Sequence, residues 1–146
     1  MDSWVQRQSE IAVGTQGAGL VNITGEVARA VADSGVATGL CTVFISHTSA
    51  SLVIQEGADP SARHDLERFL ERLVPEGDKM YTHTAEGPDD MPSHVRSALT
   101  STSLSIPVAA GRLALGTWQA VYLWEHRRRG SRRRVLVHVL GTARYG

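Results

Sequence analysis

The sequence predicts an α+β fold with a largely antiparallel sheet, and three observations carry that reading. Apolar residues recur at helical spacing in only three segments, each with a recognisable start or stop signal. From Ser103 onward the pattern changes to short runs suited to strands, joined by tight turns. With 146 residues, 42% of them hydrophobic, the chain can bury about two-thirds of its unfolded surface. Residues 1–146 are therefore expected to form one domain that needs no disulfides.

Residues 4–13 end in Ile11-Ala12-Val13 before Gly14 and read as a first strand, followed by a loop over 14–19. Asn22 or Thr24 can cap a helix whose apolar positions Val27, Ala30 and Val31 share a face, and Gly35 stops it. Residues 37–45 are rich enough in apolar and β-branched side chains to belong in the centre of a sheet. Strand resumes at 51–55 after a break at 47–50. Asp59-Pro60 opens a second helix, because Asp accepts first-turn amides and Pro at the first helical position gives up no hydrogen bond. Leu66, Phe69, Leu70 and Leu73 are expected to be its buried stripe. Pro75-Glu76-Gly77-Asp78 ends that helix, and residues 81–91 have no period and read as a loop. Pro92 opens a short third helix with Val95, Ala98 and Leu99 inward. The remaining strands fall at 103–108, 112–115, 117–125 and 132–140, with Gly130-Ser131 expected as the hairpin turn between the last two.

Bulk properties exclude several classes. A formal net charge of +0 removes any long-range attraction of the whole molecule to nucleic acid or anionic lipid. The single cysteine, Cys41, excludes an intrachain disulfide and a multi-cysteine zinc site, and its apolar surroundings suggest an inert core thiol. No apolar run approaches the ~20 residues of a membrane span, and the amino terminus lacks a basic start with a long apolar stretch. A soluble, cytoplasmic protein is expected.

Chemistry concentrates around His47-Thr48-Ser49-Ala50-Ser51-Leu52. Three histidines come from three different elements: His47 at a strand end, His83 in a loop and His94 near a helix start. Neutral imidazole suits zinc and similar ions, and three protein ligands with one open position is the usual form of a reactive metal site. Whether the three meet is left open by the sequence. His64 lies opposite the second helix's stripe and is expected in solvent, and His138 lies opposite Val137 and Val139 in a structural role. Glu56 and Asp65 can act as general bases or orient a metal-bound imidazole, with ion pairs to Arg63 or Arg68 as the alternative. Glu86, Asp89 and Asp90 form either a solvated acidic loop or a cation site.

Arg127-Arg128-Arg129-Gly130-Ser131-Arg132-Arg133-Arg134 holds six of the fifteen basic side chains. Arginine binds phosphate bidentately and keeps its proton, so a phosphorylated substrate is one use of the run and a solvated turn another. Nucleic acid is a weaker rival, because no aromatic residues interleave with the arginines. Trp118, Ala120, Tyr122 and Trp124 share one strand face and are expected in the core or a subunit interface, with Gln119 and Glu125 placing polar groups at its rims.

The ordered set of the opening histidine motif, Asp59-Pro60, Arg63-His64-Asp65-Leu66-Glu67-Arg68-Phe69, the run from Glu86 to His94, Gly116-Thr117-Trp118-Gln119 and Glu125-His126-Arg127 resembles the YjbQ-like family. The resemblance implies an α+β domain, a sandwich or half-barrel with two or three flanking helices, assembled as a homotrimer. It also implies a histidine cluster near a subunit boundary, often holding a metal ion. Members are described as secondary thiamine-phosphate synthases, which join hydroxymethylpyrimidine diphosphate to thiazole phosphate and release pyrophosphate. Carried over by residue, the resemblance makes His47, His83 and His94 ligands of a divalent metal ion, zinc or magnesium, and Glu56 and Asp65 the catalytic acids. Thr48, Ser49, Gln119, Arg128, Arg132 and Arg133 are the expected contacts to small phosphorylated substrates. Gln55 stands where many members have Asn. Two rival readings are a hydrolase-like metal enzyme and a non-catalytic module binding a phosphorylated metabolite or RNA.

Overall fold

Eight strands and three helices make up the computed structural model, which describes residues 3–143. In chain order they are β1 (Trp4–Gly14), β2 (Gly19–Asn22), α1 (Thr24–Ser34), β3 (Val36–Ile45), β4 (Ala50–Glu56), α2 (Pro60–Leu73), α3 (Asp90–Leu99), β5 (Ser103–Ala109), β6 (Arg112–Leu113), β7 (Gln119–Glu125) and β8 (Arg132–Ala143). Five strands form one sheet in the order β1-β8-β3-β5-β6, and three form a second in the order β2-β7-β4. Every pairing is antiparallel. The α+β, largely antiparallel class expected from the sequence is what the chain adopts.

The two sheets enclose a core that explains their composition. Cys41, Val43 and Ile45 of β3 and Val135, Val137 and Val139 of β8 meet Ala50 and Leu52 of β4 and Val121 and Leu123 of β7. Val27, Ala30 and Val31 of α1 join the same core, so the period read from the sequence is the one the helix uses. Asn22 accepts the Thr24 amide at the start of α1, and Gly35 ends it in a left-handed conformation. Alternation on β7 serves two layers at once. Val121 and Leu123 face the inter-sheet core, while Ala120, Tyr122 and Trp124 pack on Leu70 and Val74 at the end of α2. The aromatic stripe is thus core, except that Trp118 precedes the strand and is exposed. Gly39 faces Gly141 across β3 and β8, where a side chain on either would collide with the other strand's backbone. Burial pushes the Cys41 thiol up to about 11, which fits an inert core residue.

Five expectations are corrected. Gly130-Ser131 is not a hairpin turn, because β7 and β8 lie in different sheets and residues 126–131 cross between them. Strand β2 was not foreseen, and β6 is shorter than expected. On α2, Leu70 is buried and Leu66 partly so, but Phe69 and Leu73 are exposed. On α3 the inward residues are Asp90, Pro92, Ser93, Arg96 and Ser97, while Ala98 and Leu99 are exposed and Val95 is half-buried. No helix among the described residues is long and apolar enough to cross a membrane.

Candidate metal centre

The inward polar face of α3 builds the site. Asp90 opens the helix and His94 follows four residues later, so both project from one face. The preceding loop brings His83 to the same point. His83 Nε2 lies 2.8 Å and His94 Nε2 3.0 Å from Asp90 Oδ2. All three ligand atoms fall within 4.8 Å of one another. His94 Nδ1 lies 2.9 Å from the Thr48 carbonyl, which can only accept, so this nitrogen carries a proton. In a neutral ring Nε2 is then a bare lone pair facing a carboxylate oxygen. That arrangement is repulsive unless the ring is protonated or a cation lies between them.

Arg127 fixes the carboxylate from behind. Its Nη1 donates to Asp90 Oδ1 at 2.6 Å and its Nε to Asp89 Oδ2 at 3.1 Å. Burial favours the neutral form of Asp90, whose side chain is 2% exposed. The His83 hydrogen bond, the His94 charge and Arg127 outweigh that and hold its carboxyl below the usual range. Asp89 is held low in the same way, against burial, by hydrogen bonds from the Arg128 amide and the Arg127 guanidinium. Ser93, fully buried, donates to the Asp89 carbonyl and lies 2.9 Å from the His126 carbonyl, tying α3 to the end of β7.

A second polar layer lies beside it. Glu125 is fully buried and paired with Arg133, whose Nε donates to Glu125 Oε1 at 2.9 Å. Thr15 donates to the same oxygen. Arg133 Nη2 also donates to the Ser49 carbonyl and hydroxyl. Burial opposes the Glu125 charge, but Arg133, Thr15 and the Arg127 amide hold its carboxyl below the usual range. His47 is held against β8, its Nε2 accepting the Arg134 amide at 2.9 Å. Partial burial and then the Arg133 charge lower its pKa, with Glu125 opposing and Arg134 adding to the shift. His126 is lowered to about 3, by burial and then by the nearby Arg96 charge, and its Nε2 lies 2.8 Å from the Ser51 hydroxyl.

The expected site residues divide accordingly. His83 and His94 converge, and Thr48 supports His94 through its carbonyl. His47 and Ser49 gather around Arg133, and the convergent group of ligand atoms does not include His47. Glu56 accepts the Ala58 and Asp59 amides at the turn into α2. Asp65 sits on the exposed face of α2 beside His64, and Gln119 accepts the Gly116 amide in the turn before β7. Arg128 is exposed and paired with Glu76, and Arg132 is exposed at the start of β8. Arg127 and Ser93 were not singled out as site residues, although the spacing of Asp90 and His94 is visible in the sequence. His64 is exposed, and His138 reaches Gln8 on β1.

Fold and site define a small antiparallel α+β protein with a histidine–carboxylate cluster at the start of its third helix. The family description "UPF0047 protein YjbQ-like" matches residues 9–142, and the chain belongs to that family. It is 56% identical over 136 residues to a UPF0047 protein of Synechocystis, covering 93% of this chain and 92% of that one. It is 43% identical over 139 residues to the UPF0047 protein YjbQ of Escherichia coli, covering 94% and 99% of the two chains. A YbjQ-like protein of unknown function from Sulfolobus solfataricus superposes with a TM-score of 0.86 at 25% identity, covering 95% of this chain and 99% of that one. A conserved protein of the family from Clostridium acetobutylicum superposes at 0.82 with 34% identity, covering 90% and 98%.

Proposed function

We propose that the protein is a metal-dependent transferase of the secondary thiamine-phosphate synthase type, with His83, Asp90 and His94 as the metal ligands. The observation that carries this reading is the convergence of His83 Nε2, His94 Nε2 and Asp90 Oδ2. Tetrahedral ligands at zinc distances stand about 3.3 Å apart, close to the 2.8 and 3.0 Å between Asp90 Oδ2 and the two imidazole nitrogens. Two imidazoles and one carboxylate suit zinc better than magnesium, which prefers oxygen and water. The Thr48 carbonyl selects the His94 tautomer that leaves Nε2 free to ligate, and Arg127 orients Asp90.

A divalent cation held there supplies electrostatic stabilisation of phosphate oxygens. Of the expected phosphate contacts, the exposed Arg132 is the nearest fit, because Arg128 is paired with Glu76 and Arg133 already serves Glu125 and Ser49. In the coupling, the thiazole nitrogen's lone pair forms the bond to the pyrimidine methylene. The methylene C–O bond breaks, and pyrophosphate leaves with that electron pair. No activated Ser or Cys is required. The buried Glu125, Arg133 and Ser49 network holds the rim in place.

A homotrimer belongs to the same proposal. Leu40, Phe44 and Leu140 lie on the outer face of the five-stranded sheet and are 44%, 43% and 42% exposed. Leu40 is directly opposite Leu140, so the patch is contiguous and suits a second copy of the chain. Light scattering on the purified protein should give three times the chain mass, and a monomer would refute the assembly. For the reaction, purified protein should release pyrophosphate from the two substrates in a chelator-sensitive way, and His94→Ala should lose the activity. Turnover indistinguishable between wild type and His94→Ala would overturn the assignment.

A further inference from the structure

Away from the histidine cluster, α3 presents a buried guanidinium with no ion-pair partner among the described residues. Arg96 is 8% exposed, and Nη2 donates to the Val74 carbonyl at 2.7 Å. Its Nε, also buried, has no hydrogen-bond partner, and no carboxylate among the described residues forms an ion pair with it. A guanidinium is always charged and offers five donors, and leaving it buried and unmatched is strongly unfavourable. Arg96 lines a cavity of about 90 Å³ between α2, α3 and β7, whose walls include His126 and Trp124. A single ordered water needs only ~10–15 Å³ of such space, so the cavity has room for a small polyatomic ion.

The carboxylates on the cavity wall are already engaged. Glu125 is paired with Arg133, Glu67 accepts the Leu20 amide, and Glu71 stands 4.0 Å from Arg68 at the surface. The buried side-chain atom of this wall left without a partner is the Arg96 Nε. We propose that this cavity is a binding site for a small free oxyanion, inorganic phosphate or a short carboxylate such as acetate, held by the Arg96 guanidinium. Planar or tetrahedral oxyanions accept two parallel bonds from one guanidinium, which a halide cannot do. The site is separate from the proposed metal ligands and stands or falls without them.

Isothermal titration of the full-length protein in EDTA, with sodium phosphate and sodium acetate in separate arms at constant ionic strength, tests the site. At least one of the two should bind saturably, one per chain, and the better arm identifies its class. Arg96→Gln should weaken binding at least about tenfold, as expected for loss of a charge-assisted pair. Ala18→Glu, at the exposed rim of the cavity, places a like charge beside the anion's path and should weaken it without touching the core. His94→Ala should bind the anion as wild type does, which separates this site from the metal centre. Absence of saturable binding by wild type in both arms would overturn the proposal. So would undiminished binding by a folded Arg96→Gln or, should that variant not fold, by Ala18→Glu.

Discussion

The second and third helices are neighbours in sequence and opposites in construction. Helix α2 is a cover: it buries Leu70, seats Leu66 against the cluster that contains Tyr122 and Trp124, and leaves Phe69 and Leu73 in solvent. Helix α3 turns Asp90, Ser93, Arg96 and Ser97 inward and leaves Leu99 outside. Apolar burial is non-directional and tolerates a stripe that slips by one position, whereas buried polar groups need specific partners. Each inward polar residue on α3 except Ser97 has one: Arg127 for Asp90, carbonyls for Ser93, and the Val74 carbonyl for Arg96. A helix that accepts the cost of so many buried polar groups is positioning them, and here they include Asp90, the carboxylate of the proposed metal centre.

The sharpest test of this contrast is Asp90→Ala. It leaves two imidazoles and part of the Arg127 charge without their buried anion, and we expect a loss of about 3–5 kcal/mol in urea unfolding. A loss below 1 kcal/mol would mean that α3 is held as loosely as α2.

Acid should act through the same region. The His126 ring has an ordinary value of 6.5 and a folded value of about 3, so the folded state binds fewer protons between them. Its contribution is complete above pH 6.5 and falls as the pH drops toward 3. Asp89, Asp90 and Glu125 are shifted down, so their contribution is present above their ordinary values, 3.8 for the aspartates and 4.5 for Glu125. It is lost as the pH falls below them. His126→Gln should flatten the stability profile between pH 6 and 5, leaving the steeper loss below pH 4 in place. An unaltered slope above pH 5 would assign that region to another group.

Smaller effects complete the ordering. Ser93→Ala removes the hydroxyl that bridges α3 to the end of β7 and should cost about 1–2 kcal/mol. Phe69→Gln on α2 should change stability by less than about 0.5 kcal/mol, because the side chain is 55% exposed. If Phe69→Gln proved the more damaging of the two, the division of labour between the helices would be reversed.

The same contrast shows what could be read from the sequence. Periodicity placed α1 correctly, because Val27, Ala30 and Val31 meet an apolar core with nothing to compete. It found Asp59 as the cap of α2, whose carboxylate accepts the Ser61 amide. It misassigned the inward face of α3, because a hydrophobic pattern assumes an apolar interior, and this one is polar. The Gly130-Ser131 turn chemistry was equally local: it could not report that β7 and β8 pair in different sheets. Asp90 was legible only as one of two alternatives in an acidic loop. Its decisive partner, Arg127, is 37 residues away and comes close only because β7 ends beside α3. The position of His47 just beyond β3 was legible, but its contact with the Arg134 amide follows from the β3–β8 pairing.

Titration with cobalt, which reports zinc-like sites through its visible absorption, tests the central claim most directly. The account predicts one cobalt per chain with strong tetrahedral bands for wild type, lost in His83→Ala and His94→Ala and kept in Glu56→Gln and Asp65→Asn, whose side chains lie on other surfaces. Wild-type protein that binds no cobalt, or a His94→Ala spectrum equal to wild type, would contradict it.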